Sequence, residues 1–162
     1  MRYNVSSLLK APVGAQITLT VDEAKHRISD SLAVEYVQGT LRLIRTDQRV
    51  LAQGRLETQV AAECVRCLEP FDLPLSIRIE ELFTLFPASP ADKTCHIGED
   101  GYLNLDRPLA ELVQLEMPMH ALCRPDCKGL CSQCGQNLNE GTCHCSDEDV
   151  DPRLAALSTL LK

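Results

Sequence analysis

The sequence predicts an α+β fold that is mostly β. It implies a curved, barrel-like antiparallel sheet of about five strands, one covering helix, and a cysteine-rich tail ending in a short helix. Three observations predict it. Between residues 16 and 85, apolar and polar residues alternate over long runs, the two-residue period of strands with one buried face. One helical apolar pattern follows, near residues 106–116. Six of the nine cysteines then crowd into Cys123–Cys145. The 162 residues suit one domain with a small appendage, read as a β-rich body over 1–120 and a cysteine-rich tail with its helix over 121–162. Aromatics make up 4% and Trp is absent, so the core must come from Leu, Val, Ile and Ala.

Residues 1–15 read as an N-terminal arm, with a short helix from Ser6 that Pro12 and Gly14 stop. Gln16 to Val21 alternates as a strand. Leu32, Val34 and Tyr36 alternate on even positions, and Leu41 and Leu43 on odd ones, which places a bulge or bend at the intervening Gly39. After a turn at Asp47-Gln48, every second residue from Val50 to Cys64 shares one face, and the small Ala52 and Gly54 on it suit a tightly curved sheet. The next strand places Phe71, Leu73, Leu75, Ile77, Ile79, Phe83 and Leu85 on one face, and its Pro74 predicts an edge or bulge position. Residues 87–101 read as a loop in which Cys95 and His96 are assigned no role. Asp106 is the expected N-cap of the covering helix, with Pro108 in its first turn and Pro118 ending it. A last helix is expected over Arg153–Lys162, preceded by an acidic run from Asp147.

The cysteine spacing is that of metal ligands. Cys131-x2-Cys134 brings two sulfurs close, and Gly135 supplies the positive φ needed to turn behind them. Asn137, Asn139 and Gly141 make a second reversal that returns Cys143 and Cys145. The simplest closure is a four-sulfur zinc site from Cys131, Cys134, Cys143 and Cys145. Cys64-x2-Cys67 lies at the reversal between two antiparallel strands, where such knuckles form. Its expected partners are Cys123 and Cys127, which would clamp the tail to the sheet; pairing Cys127 with Cys131 and Cys134 stays open. Disulfides are the alternative, but nine is an odd number and the first residues have no signal-peptide character. No run is long enough to span a bilayer, so no membrane partner is expected.

The formal net charge of −7 is uneven: residues 1–86 hold 10 basic and 11 acidic residues, residues 87–162 only 6 and 12. Such a surface disfavours bare phosphate backbone and favours basic partners. No HExxH, nucleophile motif or Gly-rich phosphate loop is present, and four-sulfur zinc sites leave no open coordination position. The expectation is a protein that is not an enzyme.

The stretches CVRCLEPFDLPL, LCRPDCKGLCSQCGQNLNEGTCHC and DPRLAALSTLLK resemble the YceD family, the large ribosomal RNA subunit accumulation proteins. The resemblance is strongest from Cys64 onward. It implies a bacterial, cytoplasmic factor for large-subunit (23S) ribosomal RNA processing or accumulation and ribosome assembly, with any RNA association indirect. Combined with the acidic charge, it leads to the expectation of a ribosomal protein or large-subunit assembly factor as partner. The Cys64–Phe71 hairpin would make the contact through Arg66, Leu68 and Phe71. The competing class is a zinc-dependent, redox-switched chaperone or thiol sensor, in which oxidation releases metal from the CxxC and CxC pairs. A direct RNA-binding zinc ribbon is a third, weaker option.

Overall fold

The computed structural model describes residues 1–29, 32–85 and 95–145. Among these residues, seven strands and two helices follow in the order β1 (Arg2–Asn4), α1 (Ser6–Lys10), β2 (Gln16–Glu23), β3 (His26–Arg27), β4 (Ala33–Arg45), β5 (Arg49–Glu63), β6 (Pro70–Thr84), β7 (Tyr102–Asn104) and α2 (Asp106–Glu116). The main antiparallel sheet has five strands in the order β2-β4-β5-β6, with the short β3 also paired to β4; β1 and β7 form a separate two-stranded sheet. β2 and β6 are opposite edges that do not pair, so the sheet is open and the expected barrel-like closure does not occur. Pro74 lies on the edge strand β6, where the ladder tolerates its missing N–H.

The alternating pattern is realised as one buried face. Val50, Ala52, Leu56, Thr58 and Val60 of β5 and Leu75, Ile77, Ile79 and Phe83 of β6 point into the core, where Leu109, Ala110 and Val113 of α2 meet them. The buried Thr58 is satisfied by donating its hydroxyl to the Tyr36 carbonyl. No helix among the described residues is long and apolar enough to cross a membrane.

Several expectations are corrected here. The N-terminal residues are not a separate arm, since Met1, Val5 and Leu8 are buried in the main core, while the short helix expected from Ser6 forms as α1. Asp106 is the first residue of α2, and the N-cap position falls on Leu105, which makes no side-chain cap hydrogen bond. The Asp106 carboxylate instead binds the Met1 ammonium and His26 Nε2, the latter at 3.0 Å. The switch of face in β4 falls between Val34 and Val37, where the register shifts, while pairing runs unbroken through Gly39. The expected helix over Arg153–Lys162 and its acidic run lie outside the described residues, as does most of the 87–101 loop.

Gly39 and Gly54 serve close approach. They sit opposite Leu56 and Leu41 on adjoining strands, so each glycine faces a buried leucine. A Cβ on Gly54 would lie 2.2 Å from the Thr40 carbonyl oxygen and 2.9 Å from Leu41 Cδ2. A Cβ on Gly39, whose φ is +151, would lie 2.3 Å from the Arg55 carbonyl oxygen. Because backbone cannot yield as a flexible side chain can, Gly54→Ala is expected to cost about 1–3 kcal/mol. The check is a lowered urea midpoint at unchanged m-value; a midpoint equal to wild type would refute the packing account.

Candidate metal centres

The long β5–β6 hairpin carries the inner site on its turn. Cys64 continues the buried parity of β5, and the turn after it closes with Leu68 N–H donating to the Cys64 carbonyl at 2.9 Å. Cys64 N–H in turn donates to the Glu69 carbonyl at 3.0 Å. The tail docks on this turn through backbone bonds: Val65 N–H reaches the Ala121 carbonyl at 3.0 Å, and Leu130 N–H reaches the Arg66 carbonyl at 3.0 Å. Gly129, at φ +76, is packed so closely that a Cβ there would stand 3.0 Å from the Arg66 carbonyl oxygen. Arg66 is exposed at the surface but not unattached, since its guanidinium donates to the Cys127 carbonyl at 2.8 Å.

These bonds bring Cys64, Cys67, Cys123 and Cys127 together, with all four sulfurs within 4.8 Å of one another. Cys131, Cys134, Cys143 and Cys145 form a second set that meets the same limit. Two contacts in the inner set measure 3.8 Å (Cys64–Cys127) and 3.7 Å (Cys67–Cys123). A tetrahedral ion with metal–sulfur bonds of about 2.3 Å would space its ligands at about 3.8 Å. A disulfide would need about 2.05 Å, and all nine cysteines are free. The donor sets therefore fit a thiophilic divalent cation such as zinc in a closed site, with no position left for substrate.

The two CxxC turns share one backbone design. Gly135 N–H donates to the Cys131 carbonyl at 2.9 Å, as Leu68 does to Cys64. Gly135 takes φ +72 and Leu68 takes φ +58, the one positive φ of a non-glycine residue among the described residues. Turned inward, the backbone N–H groups stabilise negative sulfur. Those of Cys123 and Cys67 draw the Cys64 thiol down to about 6. Those of Cys134 and Gln133 do the same for Cys131, to about 6. The later sulfurs respond to the first: Cys145 is pushed up to about 12, chiefly by the Cys134 sulfur and also by that of Cys131. At Cys67 a bond from the Glu69 backbone lowers the pKa, but burial and the neighbouring sulfurs prevail and raise it to about 12.

The sites differ in burial. Cys64, Cys67 and Cys127 are buried, with Phe71, Leu122 and Cys123 packed around them, whereas Cys134 and Cys145 are exposed. Phe71 is thus half inside, against the sulfurs, while Val65 and Leu68 are 49% and 56% exposed at the turn. Cys95 belongs to neither set; its half-buried thiol faces Glu81 at 3.9 Å. Asn139 is the residue that sequence reasoning used only for a chain reversal: its side-chain amide donates to Cys127 Sγ at 3.4 Å. Its position midway between Cys134 and Cys143 was the available signal.

Comparison with known proteins places this geometry in context. A family pattern described as "Large ribosomal RNA subunit accumulation protein YceD" matches residues 52–161. An uncharacterised protein of Mycobacterium tuberculosis is 36% identical over 126 residues, covering 75% of this chain and 60% of the relative. The chain thus spans only about 60% of the length of the first curated relatives it matches. The chloroplastic YCED homolog 1 of Arabidopsis thaliana, named a large ribosomal RNA subunit accumulation protein, is 36% identical over 154 residues, covering 76% of this chain and 48% of that protein. YlbN of Bacillus subtilis, an uncharacterised protein, is 26% identical over 162 residues, covering 99% of this chain and 94% of the relative. No solved structure matches. Over the segment that carries all eight clustered cysteines, the chain belongs to the YceD family of large ribosomal RNA subunit accumulation proteins.

Proposed function

We propose that the chain supports accumulation of large-subunit ribosomal RNA without catalysis, as a zinc-braced adaptor that binds a basic ribosomal protein or large-subunit assembly factor. Residues 1–120 are the β-rich body, and residues 121–162 the tail that zinc fastens to it. Zinc at Cys64, Cys67, Cys123 and Cys127 holds the contact turn rigid, and zinc at Cys131, Cys134, Cys143 and Cys145 orders the rest of the tail. Structural zinc supplies roughly 10–16 kcal/mol of apparent binding free energy in small peptides, enough to order a segment with little core.

The observation that carries the partner reading is Leu68. A left-handed backbone costs a branched residue about 1–2 kcal/mol, and Gly135 shows that the same turn is made with glycine elsewhere in the chain. Leu68 nevertheless stands there at φ +58, with 56% of its surface open to solvent. Strain kept at an exposed apolar position has a rationale if the side chain contacts a partner. Val65 adjoins it, Arg66 lends polar contact at the rim, and Phe71 supports the turn from beneath. The formal net charge of −7 matches the partner's basic character.

The exposure of Cys134 and Cys145 favours a second reading, a redox-responsive chaperone or thiol sensor that releases zinc from this site on oxidation. Mild peroxide that releases zinc and switches on client holding would support it.

Elemental analysis under reducing conditions is expected to give two zinc ions per chain, and one each for Cys67→Ser and Cys134→Ser at saturating zinc. A metal-free wild type overturns the metal reading. For the contact, Leu68→Gly removes the side chain and its strain together. It is expected to abolish capture of pre-ribosomal or ribosomal proteins from lysate at moderate salt while leaving the urea midpoint equal to wild type or higher. Capture at wild-type level would exclude the Leu68 contact.

A further inference from the structure

The two sulfur sets are joined by polar side chains that neither cluster needs for its own donor count. Asn139 lies in the loop that Cys134 and Cys143 close. One amide hydrogen goes to Cys127 Sγ of the inner set at 3.4 Å, the other to Asn137 Oδ1 at 2.8 Å. Its oxygen accepts the N–H of Lys128, the residue after Cys127, at 2.9 Å. These three partners fix the amide's orientation. Flipped, it would set its oxygen against a sulfur and a carbonyl-type oxygen, and its NH2 against an N–H.

Asn137 braces this arrangement. Its oxygen also accepts the Asn139 backbone N–H at 3.0 Å, and its amide reaches Glu69 Oε1, two residues beyond Cys67, at 2.8 Å. Leu138 N–H adds a bond to the Gly129 carbonyl at 2.9 Å. The loop 132–142 contributes no residue to either buried apolar cluster of the described residues. Its placement therefore rests on hydrogen bonds, these among them, and on closure of the outer sulfur set.

We propose that the two sites bind metal cooperatively, with Asn139 as the positioning residue that couples them. Closing Cys131, Cys134, Cys143 and Cys145 around an ion fixes the loop and delivers the Asn139 amide to the Cys127 sulfur. An N–H donor to a metal-bound thiolate is charge-assisted, and it orients a ligand it does not replace. A filled inner site in turn offers Asn139 a fixed, negatively polarised acceptor, which favours the closed outer loop. By linkage, each ion must tighten the other by the same factor. The inference rests on the metal reading above and adds to it the mutual dependence of filling.

The test is zinc titration of the full-length, reduced, metal-free chain in competition with a chromophoric chelator. Cys134→Ser is expected to weaken the inner site about 10–100-fold, the usual effect of removing an outer-shell partner. Asn139→Ala should weaken it comparably, and the double variant no more than Cys134→Ser alone. Asn139→Asp, which preserves size but sets a carboxylate on the sulfur, should weaken it further than Ala. Reciprocally, Cys67→Ser should weaken the outer site by the factor that Cys134→Ser costs the inner one. Inner affinity at wild-type level in Cys134→Ser, or effects of Cys134→Ser and Asn139→Ala that multiply, overturns the coupling. Two zincs filling independently refute the coupling alone, whereas a wild type that takes up no zinc refutes both it and the metal reading.

Discussion

Sulfurs packed 3.7–3.8 Å apart cannot all ionise unless something offsets their repulsion. The inner set shows the conflict within one turn: backbone N–H groups draw Cys64 down to about 6, while Cys67, three residues on, is driven up to about 12. Hydrogen bonds thus lower Cys64 and Cys127 in the inner set and Cys131 in the outer one, and a divalent cation would make all four thiolates of a set compatible. On the metal reading, the rest of the tail would depend on this constraint. From Ala121 onward, its described apolar contribution to the inner cluster is Leu122, Cys123 and Cys127, too little to fold a segment by burial alone.

The sheet's contribution is rigidity at the turn. β5 and β6 are each 15 residues long and pair without a register break from Arg49–Thr84 to Glu63–Pro70. Cys64 follows that last pair directly, so the first sulfur inherits the position of a fully paired hairpin. Gly39 and Gly54 let β4 and β5 approach while Leu41 and Leu56 fill the space they vacate. A packing constraint in mid-sheet is thereby linked to the orientation of a turn at its end.

Features written in local periodicity were legible in the sequence. The even-parity run from Val50 to Cys64, the odd-parity run from Leu75 to Phe83 and the α2 pattern all correspond to buried faces. In the outer set, Cys131-x2-Cys134 followed by Gly135 is a local instruction, whereas the meeting of Cys64 and Cys67 with the distant Cys123 and Cys127 was expected only as what remained once the outer four were assigned. What the sequence hid depends on distant partners. β1 is three residues long and exists through pairing with β7, nearly a hundred residues away. Asp106 resembles an N-cap, but its carboxylate is taken by Met1 and His26 from the other end of the body. Closure of a sheet is set by whether its edges meet, and alternation does not encode that. Leu68 was legible as an apolar residue, but its positive φ was not, since nothing local distinguishes it from a strained substitute for glycine.

Charge connects the sulfur sites to the kind of partner that can approach them. Four thiolates around one divalent ion carry about two negative charges in excess, so two filled sites would deepen a formal charge that is already −7. That excess would be concentrated beside Val65 and Leu68, because the inner set lies directly beneath the turn that exposes them. Bare RNA backbone is repelled by such a field, whereas a lysine- or arginine-rich protein is attracted, with the apolar pair supplying contact once water is excluded. The same field would also discourage two copies of this chain from meeting through this face, since like charges would oppose at close range. On the proposed partner reading, an exposed apolar turn set over a filled four-sulfur site would favour a basic protein surface over nucleic acid.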